Sequence, residues 1–148
     1  MKIGQASVLK FTKTGIYIIH CVSKTKMGIG IISEPVVKCD TTISIDEIVR
    51  QILYVTSCSK SDLPNPQSWS SVNKEYLNLL GLKRNNEIYR NVLNVGISYI
   101  DDTITFTPMV NNGPKGFVNV VNGQISLPID TPIEKLSQAL IDAFNKCE

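Results

Sequence analysis

The stretch Leu93-Asn94-Val95-Gly96-Ile97-Ser98-Tyr99-Ile100-Asp101-Asp102-Thr103-Ile104-Thr105-Phe106 decides the fold class. Leu93, Val95, Ile97 and Tyr99 recur at period two, which places them on one face of a strand. Asp101-Asp102 makes a turn, and Ile104 and Phe106 resume the alternation. Pro108 is expected to stop the second strand, because it has no amide to give a ladder. Asn111-Asn112-Gly113-Pro114 then forms a loop.

The chain before this hairpin supplies helices to cover it. Ser44 and Glu47 have capping-box spacing, and Ile43 and Ile48 fit the accompanying staple. Ile45, Ile48, Val49, Ile52 and Leu53 follow at helical spacing as one buried stripe. Residues 57 to 70 are rich in Ser, Pro and Asn and form the longest expected loop. A second helix is expected from about Ser71 to Leu80, with Val72, Tyr76, Leu79 and Leu80 on one face and Gly81 as a left-handed cap. Asn86 to Val92 makes a short third helix.

The two ends of the chain complete the pattern. Val8, Leu9 and Phe11 lead through Thr12-Lys13-Thr14-Gly15 into the β-branched run Ile16 to Val22, a hairpin whose second strand is apolar on both faces. Ile29, Ile31, Ile32, Val36 and Val37 indicate one or two more short strands around Glu34-Pro35. After the loop at Asn111, Phe117 to Val121 and Ile125 to Ile129 are expected to pair about Asn122-Gly123. Thr131-Pro132-Ile133-Glu134 reads as a capping box with proline at the first helical position. Leu136, Leu140, Ala143, Phe144 and Cys147 form the inward stripe of that last helix. The expectation is an α+β fold in one domain, residues 1–148: a largely antiparallel or mixed sheet packed with about three to four helices.

Composition bounds what such a fold does. The chain is 43% hydrophobic and 19% charged with a formal charge of +2, which argues against global disorder. No aliphatic or aromatic stretch is longer than Ile16-Tyr17-Ile18-Ile19, far short of a membrane span, and Met1 to Gln5 lacks a secretory core. The expected location is the cytoplasm. Cys21, Cys39, Cys58 and Cys147 stand far apart and are expected to be reduced apolar fillers.

Charge is unevenly distributed. Lys2, Lys10, Lys13, Lys24 and Lys26 precede the first acidic residue, Glu34, while acidic residues dominate from Asp101 onward. The lysines guard strand edges or, on a competing reading, make the N-terminal third an RNA-binding module.

The inventory for catalysis is thin. His20, the one histidine, neighbours Cys21, but adjacent strand residues point to opposite faces, so a nucleophile–base pair is disfavoured. Gly28-Ile29-Gly30 is too short to cradle phosphate, and a single histidine disfavours a transition-metal site. No catalytic residue, cofactor or metal is expected, which moves weight towards a binding protein.

The second half adds a distributed pattern. Its parts are Leu79-Leu80-Gly81-Leu82-Lys83, Ile88-Tyr89, Asp101 to Pro108, Lys115-Gly116-Phe117, Ile125-Ser126-Leu127, and Ile133 to Leu140. Over residues 72 to 147 this resembles the immunity proteins of bacterial contact-dependent growth inhibition (CDI). The resemblance implies a protein that binds and neutralises the C-terminal domain of a cognate toxin delivered by a neighbouring cell. That toxin is often a nuclease, including types that cut tRNA, and the complex can extend to a translation factor or tRNA. Neither direct nucleic-acid binding nor a membrane is implied. A nuclease site is electropositive, so Asp62, Glu75, Asp101 and Asp102 are candidate toxin-facing carboxylates, with Trp69 as an anchor. Solvated-turn and core-lid roles stand as the alternatives for Asp101-Asp102 and Trp69.

Overall fold

The computed structural model describes residues 3–148. Its elements are β1 (Ile3–Phe11), β2 (Ile16–Lys24), β3 (Gly30–Cys39), α1 (Ile45–Ser57), α2 (Trp69–Leu80), α3 (Asn86–Tyr89), β4 (Val92–Ile100), β5 (Thr103–Asn111), β6 (Phe117–Asn119), β7 (Ile125–Pro128) and α4 (Ile133–Asn145). The strands form one sheet in the order β3-β2-β1-β4-β5, with β6 and β7 both on the outer edge of β5. Every strand pair is antiparallel, and the fold is α+β as expected.

Alternation along β1, β2 and β4 divides the sheet into two faces. Ala6, Val8, Ile19, Cys21, Val95 and Ile97 point to the first, where α1 and α4 close the main core. Val49, Ile52, Val55, Ile104, Phe106 and Leu140 are fully buried there. The second face carries a smaller cluster of Leu9, Ile18, Leu80 and Val92, with Tyr76, Ile32 and Val36 packed against it. The helix covering this face is α2, which packs chiefly on β3 and reaches β1 and β4 through Leu80.

Two helix signals form as their chemistry dictates. The Ser44 hydroxyl accepts the Glu47 amide at 3.2 Å. The Glu47 carboxylate turns forward to accept from Arg50 and Gln51 instead of closing the capping box. Gly81, at φ 74°, ends α2: its amide donates to Asn78 and that of Leu82 to Leu77, pairing carbonyls that the helix end would orphan.

Five further expectations are corrected. α2 starts at Trp69, because Ser68 is the cap that accepts the Ser71 amide. α3 stops at Tyr89, since Asn91 takes a positive φ and Val92 pairs with Phe11. Pro108 does not stop β5. Its outer edge is paired by β7 up to Phe106 and by β6 from Met109, so Pro108 sits where that ladder is interrupted. For the same reason Asn122-Gly123 closes no hairpin between β6 and β7: both run along β5 as one interrupted return strand. A Cβ on Gly123 would strike the Pro108 ring. Finally, Thr131 does not cap α4; its hydroxyl donates to the Pro128 carbonyl at 2.6 Å.

Gly4 marks the closest approach of α1 to the sheet, and a Cβ there would collide with the Thr56 carbonyl oxygen. Gly4→Ala is therefore expected to lower the unfolding free energy by about 1–3 kcal/mol, through forced separation of β1 and α1. Urea titration is the measurement. Gly28→Ala, with open space around it but a φ of +80°, should cost about 1 kcal/mol through backbone strain alone.

Candidate functional site

Under the N-terminal half of α2, the second face is floored by polar residues in an apolar strand pattern. Ser7, His20 and Asn94 share a face with Leu9, Ile18 and Val92, and each is more than nine-tenths buried. Ser7 lies opposite His20 in the β1–β2 ladder, and its hydroxyl donates to Asn94 Oδ1 at 2.6 Å. The walls come from α2 (Trp69, Val72 and Tyr76) and from Ile31 and Ile32 of β3. Together they line an open cavity of about 390 Å³.

His20 defines the chemistry of this cavity. Its Nδ1 lies 3.1 Å from the Cys21 carbonyl, which can only accept, so Nδ1 carries the proton and Nε2 keeps a lone pair. Burial drives its pKa from 6.5 down to about 4, so the ring is neutral at physiological pH. Tyr76 meets it edge-on, with ring centres 5.6 Å apart, and its own burial pushes the phenol up to about 12. Cys21 sits across the sheet in the main core, so no Cys–His pair forms.

The candidate residues fall into two groups. Asp62 lies in the loop that meets the end of β2, where the Leu63 amide donates to the Lys24 carbonyl. Asp101 and Asp102 form the β4–β5 turn, and β4 ends at the same edge of the sheet. These three exposed carboxylates thus share one end of the molecule, two strands apart, with Lys24, Lys26 and Lys60 among them. Trp69 and Glu75 stand instead on α2, across the second face. Trp69 is 67% exposed, so it is a rim residue of the cavity and not a core lid. Glu75 is exposed over a neighbouring groove lined by Ile31, Ile32 and Val72.

The lysines of the first third do not converge. Lys13 lies in the β1–β2 turn and Lys24 and Lys26 at the other end of that hairpin, about 30 Å away along nine-residue strands. Lys10 folds over the Tyr17 and Phe144 rings. Lys2 lies outside the described residues. Among the described residues no group of three His, Cys, Asp or Glu could hold a metal, and all four cysteines are free thiols. No helix among them is long and apolar enough to cross a membrane.

Ser7 and Asn94 are not among the residues the sequence singles out, and His20 stands out there only as a possible nucleophile's partner or metal ligand, both disfavoured. The available signal was a polar residue on the inward register of an otherwise apolar strand.

Three comparisons bear on this fold. A family model described as CdiI, CDI immunity protein, matches residues 54–147, from the end of α1 through α4. A protein of unknown function from Neisseria meningitidis has the same fold: TM-score 0.81, 14% identity, covering 99% of this chain and 96% of that one. So does a chain in a CdiA-CT/CdiI toxin and immunity complex from Yersinia pseudotuberculosis, with TM-score 0.80, 12% identity and coverage of 100% and 99%. No curated protein matches the chain by sequence.

His20 makes stability depend on pH in a defined window. The unfolded chain binds a proton near pH 6.5 and the folded one only near 4, so stability is full above 6.5 and falls as pH drops towards 4. The loss reaches about 3 kcal/mol. Urea midpoints measured across that range should fall for the native chain and stay flatter for His20→Phe. Equal slopes would refute the assignment.

Proposed function

This chain belongs to the CDI immunity protein family, and on that premise we propose that it neutralises the C-terminal domain of a cognate CDI toxin by covering its active site. The observation that carries the reading is the family match across α2 to α4, the part of the chain that also supplies Trp69, Glu75, Asp101 and Asp102. Residues 1–148 act as one unit, in the cytoplasm, as a stoichiometric inhibitor that transforms no substrate. Occlusion of this kind asks for an interface of about 1,200–2,000 Å² with a few anchors supplying most of the affinity.

The toxin is a nuclease, and cleavage of tRNA is the activity proposed for it. It can meet the immunity protein alone or within a larger complex holding a translation factor or tRNA. A phosphate-binding active site is electropositive. Asp62, Asp101 and Asp102 at one end of the sheet, with Glu75 on α2, would accelerate encounter with such a site, and Trp69 would anchor the complex. The exposure of all five supports this assignment. The lysines of the first third, dispersed over both ends of a hairpin, give the RNA-binding alternative no comparable support.

Co-expression with the terminal domain of the toxin encoded immediately upstream is expected to protect the host, and the two proteins should co-purify in a one-to-one complex. Host death on co-expression would overturn the reading. Replacing Asp101 and Asp102 together by lysine should slow association about tenfold at low salt, with a smaller effect at high salt. Stopped-flow mixing measures this, and unchanged rates would remove the turn from the interface.

A further inference from the structure

The cavity beneath α2 holds two hydrogen-bonding nitrogens that no described protein group pairs. His20 is 5% exposed, its Nδ1 is committed to the Cys21 carbonyl, and its Nε2 has no protein partner among the described residues. Asn94 is 6% exposed; its Oδ1 accepts from Ser7, and its Nδ2 likewise has no protein acceptor among them. Neither nitrogen is sealed from solvent, since no buried side-chain nitrogen or oxygen among the described residues is left both enclosed and unpaired. Both side chains line the cavity, so a fixed acceptor and a fixed donor stand at its floor.

The walls narrow the choice of occupant. Trp69, Val72, Ile31, Ile32 and the Tyr76 ring present aromatic and aliphatic surface, the Asn73 amide and the Tyr76 hydroxyl add polar groups to the walls, and no lining side chain is charged at neutral pH. A lysine or arginine would enter without a counter-ion and lose its hydration. Phenylalanine would match the walls but leave both floor groups unpaired, at a cost typical of buried unsatisfied polar atoms. Serine or threonine would satisfy the floor and leave the walls unfilled. An indole N–H can donate to His20 but offers Asn94 nothing. A phenol both donates and accepts, and its ring suits the walls. At about 390 Å³ and open to solvent, the space is large enough to receive one aromatic side chain.

We infer that this cavity is the receptor for a single tyrosine side chain of the toxin domain, whose hydroxyl donates to His20 Nε2 and accepts from Asn94 Nδ2 while its ring packs between Trp69 and Tyr76. The inference rests on the immunity reading and adds to it a site and the chemistry of its occupant. It also gives the neutral histidine a purpose: a protonated ring would present a second donor where an acceptor is needed.

The test is a double-mutant cycle between the full-length chain and the toxin domain encoded beside it, with Kd measured by calorimetry at neutral pH. His20→Phe keeps a ring and removes the acceptor; it should weaken binding by about tenfold or more. Trp69→Ala, at an exposed position where little packing is lost, should do the same. Each tyrosine of the toxin domain is changed in turn to phenylalanine. One of them should reproduce the loss, and combining it with His20→Phe should add almost nothing further. Tight binding by the native chain with no loss in Trp69→Ala, or with no toxin tyrosine coupled to His20, would overturn the cavity assignment and leave the immunity reading standing. Failure of the native chain to bind the toxin domain would overturn both.

Discussion

Val8 and Leu9 are adjacent, fully buried, and point to opposite faces of the sheet, Val8 into the core beneath α1 and α4 and Leu9 into the cluster beneath α2. β1 is hydrogen-bonded along both edges, to β2 from Gln5 to Phe11 and to β4 from Ile3 to Phe11. A slip of one residue in either ladder would exchange the faces of every side chain involved. Ser7 would then enter the main core, and Val8 would stand over the polar floor of the cavity. Gly4, pressed against the Thr56 carbonyl, also ties this register to the position of α1. The rest of the molecule is arranged around that one alignment.

The two faces are unequal, and the inequality creates the candidate site. α1 and α4 cover the first face so fully that Phe106, Ile104 and Leu140 have no exposed surface. On the second face α2 is fixed at its C-terminal end, where Leu80 joins Leu9 and Val92 and Gly81 reverses the chain. Its N-terminal turn, with Trp69, overhangs β2 and β3 without closing over Asn94. The gap therefore has a rigid floor, held by the sheet ladder, under a helix anchored at one end. Rigidity of this kind limits the entropy lost when a partner docks.

Electrostatics gives the same protein a second, separate character at the end of the sheet. Asp62, Asp101 and Asp102 are exposed there, but three lysines stand among them, so the field is mixed and short in range. The cavity, by contrast, is lined by no charged side chain. On the proposed function the first would govern how quickly a toxin arrives, and the second how firmly it is held.

Local chemistry made much of this legible in the sequence. Ser44 and Gly81 marked helix ends because a cap needs only its own turn, and the alternation from Leu93 to Phe106 announced a hairpin because side-chain direction is fixed by the backbone. The pattern from Leu79 to Leu140 carried the family. Other features depended on residues far away in the chain. Asn122-Gly123 promised a hairpin, yet the open edge of β5 drew β6 and β7 to itself, and Pro108 was tolerated because the ladder beside it was already broken. Trp69 was exposed because Ser68 started α2 earlier and carried the indole past the edge of the core. Ser7, His20 and Asn94 became one floor only when β1 brought β2 and β4 to its two sides. The sequence by itself determined the elements and the faces of its strands, which short-range sterics and hydrogen bonding control. Tertiary structure decided which edges paired and which polar groups met, because those outcomes depend on competition between distant segments for the same unpaired backbone and the same bare surface.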